Sequence, residues 1–117
     1  MPNGFTSDFP DHPHRNINAT TTGTVVKTGL TSLFSYDIYN VAAAVVYVKF
    51  YDKATAPTNS DTPVFTIGVP AASRIAANFP DGVRFDLGLT YRASTLVADN
   101  DNTAPASNNV NLNLTYQ

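Results

Sequence analysis

The feature that most constrains this fold is a two-residue alternation of apolar and polar side chains in several short runs. It is clearest at residues 110–116, where valine, leucine and tyrosine alternate with asparagine and threonine. Because successive side chains of a β-strand point to opposite faces of its sheet, this period is typical of a strand with one buried face. Residues 44–51 are apolar or amphipathic on both faces, which predicts a central strand whose second face is also covered. Alternation also occurs after residue 83 and in three further runs, at residues 24–28, 33–40 and 64–69. We expect about seven or eight strands in total.

The segments between these runs are rich in turn-forming residues. Residues 52–63, 71–82 and 98–109 are predicted to be irregular, with at most a short helical turn in the second. Residues 83–97 are expected to form one long bent strand or two, with Gly88 as a β-bulge. Long helix-favouring side chains are scarce, because the chain has no glutamate and a single glutamine, at its last position. The pattern and the composition together predict an all-β protein.

The N-terminal part of the chain differs from the rest. Residues 1–22 contain three prolines and follow neither a strand period nor a helix period. Phe5 and Phe9 stand isolated there among polar residues, as anchors that dock on a partner would. We therefore predict an extended N-terminal arm over residues 1–22. It precedes a single antiparallel β-sandwich or jelly-roll-like domain over residues 23–117, whose strand order the pattern does not set.

Charge and cysteine content exclude several kinds of function. The net charge of −2 creates no strong field for nucleic acid or an anionic membrane, so neither is predicted as a partner. The absence of cysteine excludes disulfides and thiolate metal sites, and oligomerisation is the expected alternative source of stability. No apolar run approaches the roughly 18 residues of a membrane span. The start of the chain also lacks a secretory pattern, so we expect a protein made in a cytoplasm.

Two groups of polar side chains could in principle bind a metal. His12 and His14, with Asp8 and Asp11, have the donors for a weak transition-metal clip, but the arm offers no structured pocket. Residues 99–102 alternate aspartate and asparagine as in a calcium loop, but the required glycine and distal glutamate are missing. Polar arm residues and a solvated turn are the better interpretations. No metal and no cofactor are predicted.

The residues needed for an enzyme are largely missing. With two histidines, both in the arm, and no cysteine or glutamate, a catalytic triad has few possible parts. The nine aspartates show no spacing that singles out a catalytic pair, and no glycine-rich phosphate loop is present. The six tyrosines could stack on sugars only if several were exposed in one patch. We predict that the protein is not an enzyme.

Several stretches of the chain resemble known proteins. They include YNVAAA at residues 39–44, YVKFYDKA at residues 47–54, FPDGVRF at residues 79–85 and VNLNLTY at residues 110–116. Together they resemble a family of small proteins of tailed bacteriophages that are encoded among virion genes. The resemblance covers about residues 23–117 and leaves out most of the predicted arm.

The resemblance implies a capsid decoration, or cement, protein. Such proteins bind the outer capsid surface as trimers and stabilise the shell, so the implied partners are the major capsid protein and the chain itself, as a homotrimer. The expected localisation is the virion surface. The expected capsid contacts are Phe5, Phe9 and Arg15, with Asp11 as a charged partner. Deletion of residues 1–16 should abolish capsid binding while leaving the folded body. The alternatives are a tail, neck or head-fibre component, or a carbohydrate-binding module for host attachment.

Overall fold

The computed structural model describes residues 12–117, and this part of the chain is all-β. Eight strands form two antiparallel sheets of four strands each. The described residues contain no helix, and therefore none that could span a membrane. The strands are β1 (His12–Asn16), β2 (Thr24–Thr28), β3 (Thr31–Asn40), β4 (Val46–Asp52), β5 (Phe65–Val69), β6 (Ser73–Phe85), β7 (Gly88–Ser94) and β8 (Val110–Tyr116).

The two sheets are built from the same kind of strand pair, in which an early strand of the chain lies beside a late one. The first sheet has the order β1-β8-β3-β6, and the second has the order β2-β7-β4-β5. As a result β1 pairs with β8, β2 with β7, β3 with β6 and β4 with β5. The first strand thus pairs with the last, the second with the second-last, and so on inward to β4 and β5. The chain changes sheet after every strand except β4, which is followed by β5 in the same sheet.

The core lies between the two sheets. Leu33, Ile38 and Leu112 enter it from the first sheet, and Val48 and Phe50 enter it from the second. All of these side chains are fully buried or nearly so, and each contributes about 1.5–3 kcal/mol by leaving water. The sheets are therefore held together by one continuous apolar layer.

Several sequence predictions are confirmed at the level of individual strands. β2 and β8 have the predicted bounds, and β4 lies between β7 and β5 as a central strand. The second face of β4 is covered as expected, because Lys49 and Tyr51 are buried there.

Residues 71–82 were predicted to be irregular, and this prediction is wrong. They fall largely within β6, in which Ile75, Ala77 and Phe79 are more buried than their exposed neighbours. The alternation is weak in the sequence because two of the side chains are alanines and because Phe79–Gly82 form an irregularity opposite Phe34. Tertiary pairing with β3 overrides the weak local pattern.

Gly88 is not a β-bulge, contrary to the prediction. The register irregularity between β2 and β7 falls between Val25 and Lys27, on the other strand. Gly88 instead begins β7, where a Cβ atom would lie 2.5 Å from the carbonyl oxygen of Lys53. Asp52 fixes the preceding turn, since its carboxylate accepts backbone N–H bonds from Asp86, Leu87 and Gly88. Close backbone approach is therefore what requires glycine here.

Residues 12–16 of the predicted arm form a strand of the first sheet. In β1, His12 is paired with Tyr116 and Asn16 is paired with Leu112. Ala19 is buried, and its N–H donates to the carbonyl oxygen of Val110. An extended arm stays a prediction for residues 1–11, which lie outside the described residues.

Candidate functional site

One of the four predicted capsid contacts is in the described part of the chain. Arg15 lies in β1, is exposed and is paired with Asn113 of β8. Phe5, Phe9 and Asp11 lie outside the described residues. Arg15 therefore sits on an outer strand of the first sheet, at a position that a partner can reach.

His14 lies against a buried tyrosine on the opposite sheet. Its Nε2 atom is 2.7 Å from the Tyr91 hydroxyl, which also accepts a hydrogen bond from the Asn16 amide at 2.9 Å. Burial lowers the pKa of His14. Burial also raises the pKa of Tyr91, against the opposing effect of hydrogen bonds from Asn16 and Thr24. The contacts tie β1 to β7, so this histidine joins the two sheets.

The two histidines make contacts other than the metal clip that the sequence analysis considered and set aside. His12 stacks on Tyr116 with ring centroids 5.4 Å apart, and the Nε2 atom of His14 is within hydrogen-bond distance of the Tyr91 hydroxyl. Within residues 12–117 no three potential metal-ligating side chains come together. Asp8 and Asp11 lie outside that range.

A buried arginine anchors the loop that covers the outer face of the second sheet. Arg92 is fully buried, and its guanidinium donates to the Thr21 carbonyl, the Tyr51 hydroxyl, the Asp101 carbonyl and the Asn102 side-chain oxygen at 2.9–3.1 Å. Every acceptor of this set is neutral, which spreads the positive charge over several dipoles. Asp101 and Asn102, which belong to the calcium-loop-like run of residues 99–102, thus accept hydrogen bonds from the Arg92 guanidinium.

A second buried cation lies beside the first. Lys49 donates to the Ala98 carbonyl from the neighbouring strand β4. Burial lowers the pKa of Lys49 and the adjacent Arg92 lowers it further, against the attraction of Asp101 and Asp99. The amphipathic second face of residues 44–51 predicts a covered surface, but the sequence does not indicate which loop covers it.

The tyrosines do not form a sugar-stacking platform. All six lie in the described part of the chain, and Tyr51 and Tyr91 among them are buried. Tyr36, Tyr47 and Tyr116 are half-buried. Tyr39 is the exposed one, at 46%. A single exposed ring gives the carbohydrate-binding alternative no specific support.

An apolar cleft opens between the outer strands of the two sheets. It has a volume of about 280 Å³, and its ring contacts include Tyr36 with Phe79 at 5.8 Å between centroids. This volume is below the roughly 300–1,000 Å³ of small-molecule sites, so it suits an inserted side chain better than a free ligand. The lining residues are Tyr36 of β3, Phe65 and Ile67 of β5, and Phe79 and Val83 of β6.

Residues 73–78 of the β6 edge are less protected than the other sheet edges, whereas the part beside this cleft contains Pro80 and a register irregularity at Phe79–Gly82. β1 carries Pro13, β2 has a register irregularity next to Lys27, and the five residues of β5 lie between two prolines. Residues 73–78 of β6 contain neither proline nor lysine. Since exposed edges usually carry such features to prevent pairing with other chains, residues 73–78 form a strand edge that is open to pairing.

The charged residue of this edge points back across its own sheet. The Arg74 guanidinium donates to both carboxylate oxygens of Asp37 on β3, at 2.7 and 2.9 Å. It also lies 5.8 Å from the centre of the Tyr39 ring. Arg74 therefore leaves the outer side of β6 open. Phe65, Phe79 and the β6 edge form a candidate interaction site that cannot be found from the sequence, because the pattern of residues 71–82 predicts a loop.

Comparisons with protein-family models, curated proteins and solved structures find no match to this chain.

Proposed function

We propose that this protein is a structural subunit of a tailed-bacteriophage virion: a capsid decoration protein that binds the outer head surface as a homotrimer. The observation that carries the proposal is the strand order. Eight strands paired as β1·β8, β2·β7, β3·β6 and β4·β5 in two sheets support our proposal that the chain is a jelly roll. Jelly rolls recur in viral capsid domains. The sequence resemblance to small virion proteins points to the same setting.

The chemistry of the described residues also suits a structural role. Their two buried cations and their histidine–tyrosine contact are engaged in joining strands, sheets and a covering loop. Their open features are an apolar cleft and a strand edge, which are means of binding other protein chains. A chain without cysteine gains stability from such contacts when several copies assemble.

The proposed partner is the major capsid protein, and Arg15 is the described residue assigned to that contact. It lies on β1, close to the chain segment that carries the other predicted contacts. An exposed arginine can bind carboxylates or backbone carbonyls of a neighbouring subunit through its planar donors. Binding as a trimer multiplies weak contacts of this kind into stable attachment.

Electron cryomicroscopy of particles of the bacteriophage that encodes the chain tests the proposal. The expected result is density for the two-sheet body in groups of three on the outer shell. Density confined to the neck, the tail or a head fibre would overturn the decoration assignment and leave a virion component of another kind. Absence of the protein from purified particles would overturn the structural proposal altogether.

A further inference from the structure

We propose that residues 3–9 of one copy of this protein add as a strand to the open edge of β6 in a second copy, with Phe5 and Phe9 on the face of the sheet that carries Ile75, Phe79 and the apolar cleft. The acceptor features are the unprotected edge at residues 73–78 and the adjacent 280 Å³ cleft. Strand addition of this type gains affinity from main-chain hydrogen bonds and specificity from pockets for alternate side chains.

The donor segment matches the acceptor in spacing. Phe5 and Phe9 are four residues apart, so an extended backbone places both rings on one face. Ile75 and Phe79 on the inner side of β6 have the same separation. None of residues 3–9 is proline, so each has a backbone N–H group that could donate to a ladder, and Pro2 and Pro10 mark where a ladder would stop.

The length of the chain requires a second copy. Phe9 is three residues from His12, and three extended residues span at most about 11 Å. A strand outside β6 lies four strand positions from β1 in the order β1-β8-β3-β6, about 19 Å at the usual spacing. Phe9 therefore cannot reach the β6 edge of its own chain, whereas a neighbouring copy can present that edge directly.

This contact joins different surfaces of the two copies. The donor segment precedes β1 in the chain, and β1 forms one edge of the first sheet, whereas the acceptor is β6 at the other edge. Head-to-tail contacts of this kind generate closed rings when the rotation between copies permits. The inference thus supplies an assembly mode for the proposed homotrimer, but it concerns the isolated protein and does not depend on capsid binding.

Cysteine cross-linking tests the pairing directly, because the natural chain has no cysteine. Ser7→Cys lies midway between Phe5 and Phe9, and Ala77→Cys lies midway between the matching residues of β6. Paired strands bring Cα atoms to about 4.5–5.5 Å, within disulfide range. A mixture of two chains of different size, one with each substitution, should form the mixed disulfide at least tenfold faster than either homodimer.

The matched control is Thr6→Cys, which lies on the other face of the donor segment. Mixed with Ala77→Cys, it should cross-link no faster than random collision. Equal cross-linking of Ser7→Cys and Thr6→Cys, or no preference for the mixed product, would overturn the proposed pairing.

Sedimentation of the full-length chain provides an independent test. The full-length protein should sediment as an oligomer of the 12.6 kDa chain, and Phe5→Ser or Phe9→Ser should each raise the dissociation constant about 10- to 100-fold. Thr6→Ser should leave it unchanged. A monomeric full-length protein, or phenylalanine variants that assemble as tightly as the parent, would refute the inference. Unchanged circular dichroism in the variants would show that their subunits are folded.

Discussion

At the residue scale, Arg92 and Lys49 place two positive charges in the same buried layer, but they have different numbers of hydrogen-bond acceptors. Arg92 donates to four acceptors from three segments of the chain, whereas Lys49 donates to the Ala98 carbonyl alone among the described hydrogen bonds. A buried charge stabilises a fold only when its hydrogen bonds offset the cost of leaving water. The two cations should therefore differ sharply in what their removal does.

We expect Arg92→Met to destabilise the protein by about 3–5 kcal/mol, because it leaves several buried acceptors without a donor. Lys49→Met, the matched variant in the same layer, should change the free energy of unfolding by less than about 1 kcal/mol or increase it, since it removes a desolvated charge and its repulsion with Arg92. Urea unfolding of both variants measures the difference. Equal losses in the two variants would contradict the unequal roles assigned to the two cations.

His14 should make the free energy of unfolding depend on pH at values above those at which the carboxylates titrate. Burial lowers its pKa in the folded protein below the usual value of 6.5. The unfolded chain then binds more protons as the pH falls, so the contribution of His14 to stability is complete above about pH 6.5 and is lost below it. The free energy of unfolding should fall between about pH 7 and about pH 5. Denaturant midpoints across that range measure the fall.

Replacement of the histidine itself is the control for this pH dependence. His14→Gln should flatten the profile between about pH 7 and about pH 5. The lowered pKa values of Asp52, Asp61 and Asp101 act at lower pH, where the unfolded carboxyls titrate. A profile that His14→Gln leaves unchanged would show that other groups cause the pH dependence.

At the scale of elements, deletion of residues 1–16 and deletion of residues 1–11 should have different effects, because only the longer deletion removes β1. Deletion of residues 1–16 removes the strand that pairs with β8 and the contacts of His14 and Asn16 with Tyr91. We expect it to cost on the order of 3 kcal/mol or more, a large fraction of the stability of a small domain. Deletion of residues 1–11 leaves every described strand in place and should have little effect on the free energy of unfolding of the single subunit.

Hydrogen exchange distinguishes the two truncations locally. Amides of β8 should lose protection when residues 1–16 are removed and keep it when residues 1–11 are removed. Exchange that is equally fast in both truncated proteins would show that β1 does not protect this edge of the sheet.

Some elements could be predicted from the sequence because their pattern is local. β8 alternates large apolar and polar side chains, so its burial follows from its own residues. β1 and β6 could not be predicted in this way. Pro13 interrupts the first, and Ala76, Ala77 and Pro80 weaken the period of the second. Both are strands because neighbouring strands supply their hydrogen bonds.

The candidate site was missed for the same reason. Phe79 and Val83 line the cleft only because β6 pairs with β3 and lies beside β5. Arg92 could not be assigned to a loop-binding role from its position in the chain, since its acceptors come from residues 21, 51, 101 and 102. Contacts between distant segments are set by the strand order, which the alternation of side chains does not encode.

At the scale of the whole molecule, oligomerisation and capsid binding are separate properties that one truncation affects together. Deletion of residues 1–11 removes the segment that carries Phe5 and Phe9, so we expect loss of the oligomer and, through lost multivalency, about a 10²- to 10⁴-fold loss of affinity for the shell. Fusing a trimerising coiled coil to the C-terminus of the truncated chain separates the two effects. Restored binding assigns residues 1–11 to assembly, whereas continued loss assigns them to the shell contact itself.

Arg15 provides the last test, because it is exposed on β1 and lies outside the strand-addition site. Arg15→Ala should leave the oligomer intact and weaken binding to capsid shells about tenfold in the trimer, since a modest loss in each subunit is multiplied by three contacts. Arg84→Ala is the matched control, because it makes the same charge change on the exposed part of β6. Co-sedimentation with shells at increasing salt measures both variants. If they bind alike, the shell contact lies elsewhere on the molecule; if Arg15→Ala alone is weakened, the edge formed by β1 faces the capsid.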